Sequence, residues 1–269
     1  VMGMAAMLAE DEDAIVLDVG GTTTDIAMFA QGSPLVENDG LRIGGRPTLV
    51  RGLRIESIGV GGDSALWVSD GKLDLGPVRH GPCMAMGGET PTLVDCLNML
   101  DFSAHGDKQA SRKGLEEFAR QLDMPAQEVA RTGVDLALSK IMGAVEDMLI
   151  RVNSQPVYTI KEMLTDKRFR PANVHLMGGP AKALAPEMEK VSGFEVHVPP
   201  NYSVANAIGA ALTRRTRVVT LFADTSKGKM LIPSLDHEEN IPSGYVLDDA
   251  KKDVCQILEQ YLSNNDPSG

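Results

Sequence analysis

Apolar positions along the chain form short runs broken by glycine turns, then helical stripes, and finally an alternation of the two. AIVLDVGGTTTDIAMF, residues 14 to 29, is an apolar strand running into Asp18, a turn through Gly20 and Gly21, three threonines, Asp25 and a second apolar strand. Strand, tight reversal, strand predicts a hairpin, not the strand-loop-helix of a P-loop or dinucleotide site. Ahead of it, VMGMAAMLA has the Ala- and Met-rich texture of a buried helix with no N-cap before it. From Gly32 to Gly88 the chain is rich in glycine. PTLVRGLRIESIGV is expected to be extended, and GGDSALWVSDGKLDLG to form a hairpin turning at Asp70-Gly71. GPVRHGPCMAMGGETP has no periodicity and is expected to be an ordered loop. TPTLVDCLNML and ASRKGLEEFARQL predict helices. The longest helix is expected from Gln127 to Val152, with Val134, Leu138, Ile141, Val145 and Met148 on one core-facing stripe.

The last third alternates. ANVHLM (172–177) and FEVHVPP read as strands, GGPAKALAPEMEKV and YSVANAIGAALTRRT as helices, then RVVTLFA and KMLIPS as strands and VLDDAKKDVCQILEQYL as a closing helix. Such alternation predicts an α/β layer architecture. The tail from Asn264 is expected to fray, and the unstarted opening helix suggests a piece of a longer protein or a chain completed by a partner.

Composition narrows the function classes. The 269 residues are 43% hydrophobic and 23% charged, enough for one large domain or two ordinary ones. Aromatics are only 4%, so the core relies on aliphatic residues and fourteen methionines. A formal charge of −11 argues against nucleic acid or an anionic membrane as partner. A small anion remains compatible with it, since backbone N–H groups can oppose the global charge locally. Cys83, Cys96 and Cys255 have no metal-ligand spacing and cannot all pair, and no apolar run reaches the ~18 residues of a spanning helix. A cytoplasmic setting is expected.

Two segments carry candidate chemistry. In the first hairpin, Gly20 and Gly21 let backbone N–H groups converge on an anion, and the hydroxyls of Thr22, Thr23 and Thr24 can donate to phosphate oxygens. Asp18, ending a buried strand, suits a hydrated divalent cation such as Mg²⁺, whereas Asp25 suits either the site or closure of the turn. In HLMGGPAKAL, Gly178, Gly179 and Pro180 lie between a strand and a helix start, which puts backbone donors at a crevice. His80 and Cys83 share the ordered loop but lack the ligand spacing zinc needs. Asp95 falls in the first turn of a helix, where a carboxylate also favours the dipole. The basic run Thr213–Arg217 reads as a solvated helix end.

The order of these segments resembles the second domain of the actin-like ATPase superfamily. Met2–Ala9 is similar to its first connecting helix, Asp18–Asp25 to its second phosphate hairpin, Gly178–Ala181 to its adenosine loop and Val204–Leu212 to its second connecting helix. Within that superfamily the chain resembles the hydantoinase A/oxoprolinase family. DVGGTTTD matches the family's DVGGTSTD, followed by Gly44–Pro47 (GGRP), Ile58–Gly62 (I-G-x-G-G), Gly76-Pro77, Gly81-Pro82-Cys83, Gly87-Gly88, and Pro91-Thr92 through Asp95. The chain departs from the pattern at Glu56, where the family usually has histidine, and at Asp63, where it commonly has a third glycine. Its cysteine loop is shorter, and GGPAKAL stands where GGAGPLHA is usual.

The resemblance implies a ribonuclease-H-like α/β domain over 1–217, a mixed sheet with flanking helices and an inserted region at about 40–153. A strand-helix extension, 218–269, is expected to pack on it. It also implies ATP and Mg²⁺ as cofactors, and ATP-driven opening of a cyclic amide such as a hydantoin or 5-oxoproline through phosphoryl activation. In that scheme Asp18 organises the metal, the hairpin holds phosphates, Gly178 and Gly179 admit base and ribose, and Asp95, Glu56 and His80 are candidates on the substrate side. A first ATPase domain or a second subunit is expected to supply the other half of the cleft, and homo-oligomerisation is left open. The alternatives are an ATP-using subunit of a ketone carboxylase, a nucleotide-dependent switch or activator, and a domain that binds no nucleotide.

Overall fold

β1 (Ala14–Val19) is buried on both faces, which is why its sequence is a nearly continuous apolar run instead of an alternation. The computed structural model containing it describes residues 13–37, 40–43, 46–50, 52–154, 168–212 and 219–265. The expected helix at Met2–Ala9, the glycines Gly44 and Gly45, and the run Thr213–Arg217 lie outside the described residues. By internal contacts the chain divides into two units, Val1–Thr213 and Arg214–Gly269.

In the first unit β1 pairs antiparallel with β2 (Thr24–Ala30), with Asp18 opposite Asp25 and Val16 opposite Ala27. The far edge of β2 is shared. Its end pairs with β3 (Ser33–Pro34), and its beginning pairs antiparallel with β8 (Ile55–Ile58). Between them, β4 (Val36–Glu37) pairs with β7 (Gly52–Leu53), and β5 (Arg42–Ile43) with β6 (Arg46–Pro47). The segment 40–153, expected as an insertion, thus contributes a strand to the main sheet. β9 (Leu66–Ser69) and β10 (Lys72–Leu75) form the expected hairpin, with Asp70 and Gly71 both at positive φ as its two-residue turn requires.

Three helices follow: α1 (Leu93–Met99), α2 (Lys108–Ala119) and α3 (Ala126–Asn153). The stripe on α3 is buried as its spacing requires, with Val134, Leu138, Ile141, Val145 and Met148 all within 2% of full burial. The chain then re-enters the sheet. β11 (Asn173–Met177) lies parallel to β1, α4 (Ala181–Ser192) crosses over, and β12 (Glu195–His197) lies parallel to β11. The strand order is β12-β11-β1-β2, with β8 and β3 sharing the outer edge: an antiparallel meander joined to two parallel crossover strands. A 3-10 turn at Tyr202–Val204 leads into α5 (Ala205–Leu212).

The two faces of this sheet are unlike. Ile15, Leu17, Val19, Ile26, Met28, Val174 and Leu176 pack under α1, α3 and α4 in one large core. Val16, Ala27, Phe29 and Met177 form a small cluster with Ala205 of α5 on the other face. The second unit is a meander of β13 (Phe222–Asp224), β14 (Lys229–Ile232) and β15 (His237–Asn240) with α6 (Leu247–Asn265), built on Met230, Ile241 and Tyr245. β15 was not expected, because HEEN is too polar to read as a strand. Its partner β14 supplies the buried face. No described helix is long and apolar enough to cross a membrane.

Leu138→Ala should therefore cost about 2–5 kcal/mol, read as a lowered denaturation midpoint with unchanged slope in urea. An unchanged midpoint would mean that the α3 stripe is not the core of this unit.

Candidate functional site

The turn between β1 and β2 is closed by the Gly20 N–H donating to Thr23 O at 2.9 Å. The N–H groups of Gly21, Thr22 and Thr23, and the hydroxyls of Thr22 and Thr23, have no partner among the described residues, and all three residues are exposed. Thr24 differs. It is fully buried and its hydroxyl donates to Val60 O at 2.7 Å, so its expected contact with phosphate is replaced by a bond that holds β2 to the next loop.

That loop, residues 59 to 64, lies against the hairpin. Gly62 N–H donates to Gly20 O at 2.9 Å and Asp63 N–H to Gly21 O at 2.6 Å. A Cβ on Gly61 would stand 2.7 Å from Gly21 C and Thr22 N, so the close approach requires glycine there. The loop is itself tied down. Gly61 N–H donates to Ser64 Oγ at 2.8 Å, and Val94 N–H in the first turn of α1 donates to Gly62 O at 2.9 Å.

The turn before α4 forms the third wall. Gly178 has φ of 92°, and a Cβ there would meet Val19 O at 2.0 Å and Asp18 Oδ1 at 3.0 Å. Only glycine lets this turn close onto the end of β1. Pro180 is buried, with its ring 3.1 Å from where a Cβ on Gly62 would lie, while Gly179 is exposed. The expected cofactor-binding segments therefore meet at one place, the carboxyl end of β1, together with the loop 59–64, whose I-G-x-G-G motif had carried the resemblance but no role at the site.

Asp18 and Asp25 face each other across the strands on the sheet face that carries Val16 and Ala27. Burial, the largest cause, pushes the Asp18 carboxyl above its ordinary value of 3.8. A hydrogen bond from Asn206 works against that, and the Asp25 charge adds to the rise. Asn206, on α5, was not singled out from the sequence. Its signal was there: one amide within the small-residue run VANAIGAAL. A half-buried carboxylate paired with a second carboxylate, beside exposed unpaired N–H donors, is a donor set that fits a hydrated divalent cation and a phosphate chain.

The other catalytic candidates are placed apart. Glu56 on β8 lies opposite Ile26, hence on the other face of the sheet from Asp18, and forms an ion pair with Arg151 of α3. Asp95 has no exposed surface. It accepts from the N–H groups of Met84, Ala85 and Thr92 and from the hydroxyls of Thr92 and Ser111, at 2.6–3.0 Å. The structure corrects both expectations. Glu56 is an ion-pair partner on the helical face, and Asp95 is the buried acceptor that joins α1, α2 and the Cys83–Met86 turn. Cys83 is likewise buried, and burial, with the charges of Asp95 and Asp63, pushes its thiol up. His80 is exposed in the loop from Gly76 to Pro82. A groove of about 670 Å³ between α3 and the end of α4, lined in part by Leu138, Met142, Leu149 and Phe194, shares no residue with the hairpin.

Two outcomes follow for these carboxylates. Asp95→Ala leaves five donors, four of them buried, without their acceptor and should cost about 3 kcal/mol or more, while Glu56→Gln should stay within about 0.5 kcal/mol. Chemical denaturation distinguishes them, and equal effects would contradict the placement. For Asp18 the folded state holds its proton to higher pH than the unfolded chain does. That contribution to stability is present below 3.8 and is lost as pH rises through the raised value. Asp18→Asn should thus melt higher than the wild type at pH 7, with the gap closing in acid. A lower melting temperature at pH 7 would contradict the burial argument.

A profile of the Hydantoinase/oxoprolinase family matches residues 1–218. Protein MJ0964 of Methanocaldococcus jannaschii is 24% identical over 235 residues, covering 76% of this chain and 32% of that protein. The nucleotide-free structure of acetone carboxylase, solved in work on ATP-dependent acetone carboxylation, superposes with a TM-score of 0.55 and 21% identity. The match covers 78% of this chain and 30% of that one. The chain therefore spans 32% and 30% of the length of these relatives. Its mixed sheet with flanking helices is the fold of the actin-like ATPases. With the hairpin, the glycine loop and the turn before α4 all inside the matched span, the chain belongs to the hydantoinase/oxoprolinase family.

Proposed function

We propose that this chain is the nucleotide-binding half of an ATP-dependent enzyme that opens a cyclic amide of the hydantoin or 5-oxoproline type. The observation that carries the reading is the meeting of three elements at the end of β1: unpaired N–H donors at Gly21–Thr23, the half-buried Asp18, and Gly178 pressed against both Val19 and Asp18. Phosphoryl transfer asks mainly for positioning and charge neutralisation, which such a site can supply without a nucleophile. Mg-ATP would bring the transferable phosphoryl group that activates the amide oxygen. Gly21, Thr22 and Thr23 hold phosphates on the turn that the Gly20 N–H closes, Asp18 with Asp25 holds the hydrated metal, and Gly178 and Gly179, beside the buried Pro180, leave backbone accessible to base and ribose. Asn206 fixes the carboxylate of Asp18, and His80 is a residue for the substrate side. The other jaw of the cleft comes from a first ATPase domain or a second subunit.

Family membership supports an ATP-dependent enzyme of this kind, and the likeness to acetone carboxylase favours a second reading, a subunit of a ketone carboxylase. ATP turnover by the full-length protein separates the two. Stimulation by hydantoin or 5-oxoproline supports the hydrolase, whereas stimulation by acetone with bicarbonate supports the carboxylase. Turnover indifferent to either set would remove both.

Within the hydrolase, Asp18→Ala should lower substrate-stimulated ATP turnover by about 10²-fold or more and leave the far-UV circular dichroism unchanged. Unaltered kinetics in that variant would take Asp18 out of the mechanism.

A further inference from the structure

Beside the hairpin stands a cation that this reading has not used. The loop from Gly76 to Pro82 is fastened over the glycine loop. Gly76 N–H donates to Ala65 O at 2.9 Å, Ala65 N–H donates to Val78 O at 3.3 Å, and a Cβ on Gly59 would come within 2.5 Å of Pro77. From this loop Arg79 Nη2 meets Asp63 Oδ2 at 2.8 Å. The same oxygen lies 3.1 Å from the position of a Cβ on Gly21, and the Asp63 N–H is bonded to Gly21 O. One carboxylate oxygen therefore separates the guanidinium from the turn in which the N–H groups of Gly21, Thr22 and Thr23 have no partner among the described residues.

Electrostatics gives this arrangement a purpose. Asp18, Asp25 and Asp63 put three carboxylates around a turn whose ligand is expected to be an anion, on a chain of net charge −11. Backbone donors alone would work against that field. The Arg79 side chain is 46% exposed and Asp63 19%, so the pair is too open to contribute much to stability. A guanidinium has five donors in a planar fork that matches phosphate, and its contact with Asp63 is made through one nitrogen. We infer that Arg79 is a phosphate-binding residue. It is held in readiness by Asp63 and exchanges that carboxylate for the terminal phosphate of a nucleotide seated on the hairpin. The inference rests on the nucleotide reading above and adds to it a residue and a specificity for the terminal phosphate.

Calorimetry of Mg-ATP, Mg-ADP and adenosine against the full-length protein tests it. Arg79→Ala should weaken Mg-ATP by about tenfold, weaken Mg-ADP less, and leave adenosine and the melting temperature unchanged. Arg79→Lys should restore only part of the loss, since an ammonium cannot make the forked contact. Asp63→Asn, which removes the competitor for the guanidinium, should tighten Mg-ATP by about threefold. Wild-type affinity for Mg-ATP in Arg79→Ala overturns the inference while leaving nucleotide binding intact. So does an equal loss for adenosine and Mg-ATP, or an Asp63→Asn loss as large as that of Arg79→Ala; either makes the pair a strut for the loop. A wild type that binds none of the three ligands removes the nucleotide reading itself, and this inference with it.

Discussion

Two backbone hydrogen bonds, Gly62 N–H to Gly20 O and Asp63 N–H to Gly21 O, hold the hairpin tip, and the rest of the site depends on them. They occupy the carbonyls of Gly20 and Gly21 and leave the N–H groups of Gly21, Thr22 and Thr23 without partners among the described residues. Each is worth only about 1 kcal/mol in net stability, yet together they select one backbone path for a turn that glycine would otherwise leave free. The contact exists because Gly61 lacks a Cβ and can lie against the Gly21–Thr22 peptide. A methyl group there would push the two loops apart before any ligand arrived.

The next constraint is how the loop 59–64 is itself held. Val94 at the start of α1 bonds Gly62 O, and α1 is positioned by the buried carboxylate of Asp95 with its five donors. Asp95 thus reaches the hairpin through two intervening contacts, with no exposed surface of its own. Its burial is tolerable because every lone pair is used, the usual condition for an interior carboxylate. Lys140, on α3, binds both Asp74 Oδ1 and Leu75 O at 2.7 Å and so ties the β9–β10 hairpin to the same helical layer.

The sheet then divides the molecule's tasks. One face carries the large core under α1, α3 and α4. The opposite face carries the smaller cluster with Ala205, and there Asp18 and Asp25 stand beside Asn206. Because alternate residues of a strand point to opposite faces, a single step along β8 separates Ser57, opposite Asp25, from Glu56, which pairs with Arg151 among the helices. Chemistry and packing are kept apart by the pleat alone.

Much of this was legible in the residue pattern. The β1–β2 hairpin, the β9–β10 hairpin at Asp70-Gly71, the buried stripe of α3 and the strand-helix alternation of the last third follow from local periodicity and turn chemistry, which act over a few residues. Gly20 and Gly21 could be placed in a tight turn for the same reason, but the packing of Gly178 against Val19 O could not. Register and partners could not be read, because they depend on segments far apart in sequence. Only the folded chain put Glu56 behind the sheet, closed five donors around Asp95, turned the Thr24 hydroxyl onto Val60, and brought Asn206 and Arg79 to the hairpin. Residue pattern alone picked out the turn whose N–H groups are left without partners among the described residues. Tertiary structure decided which side chains surround it, since that choice is made by strand pairing and close packing between residues dozens of positions apart.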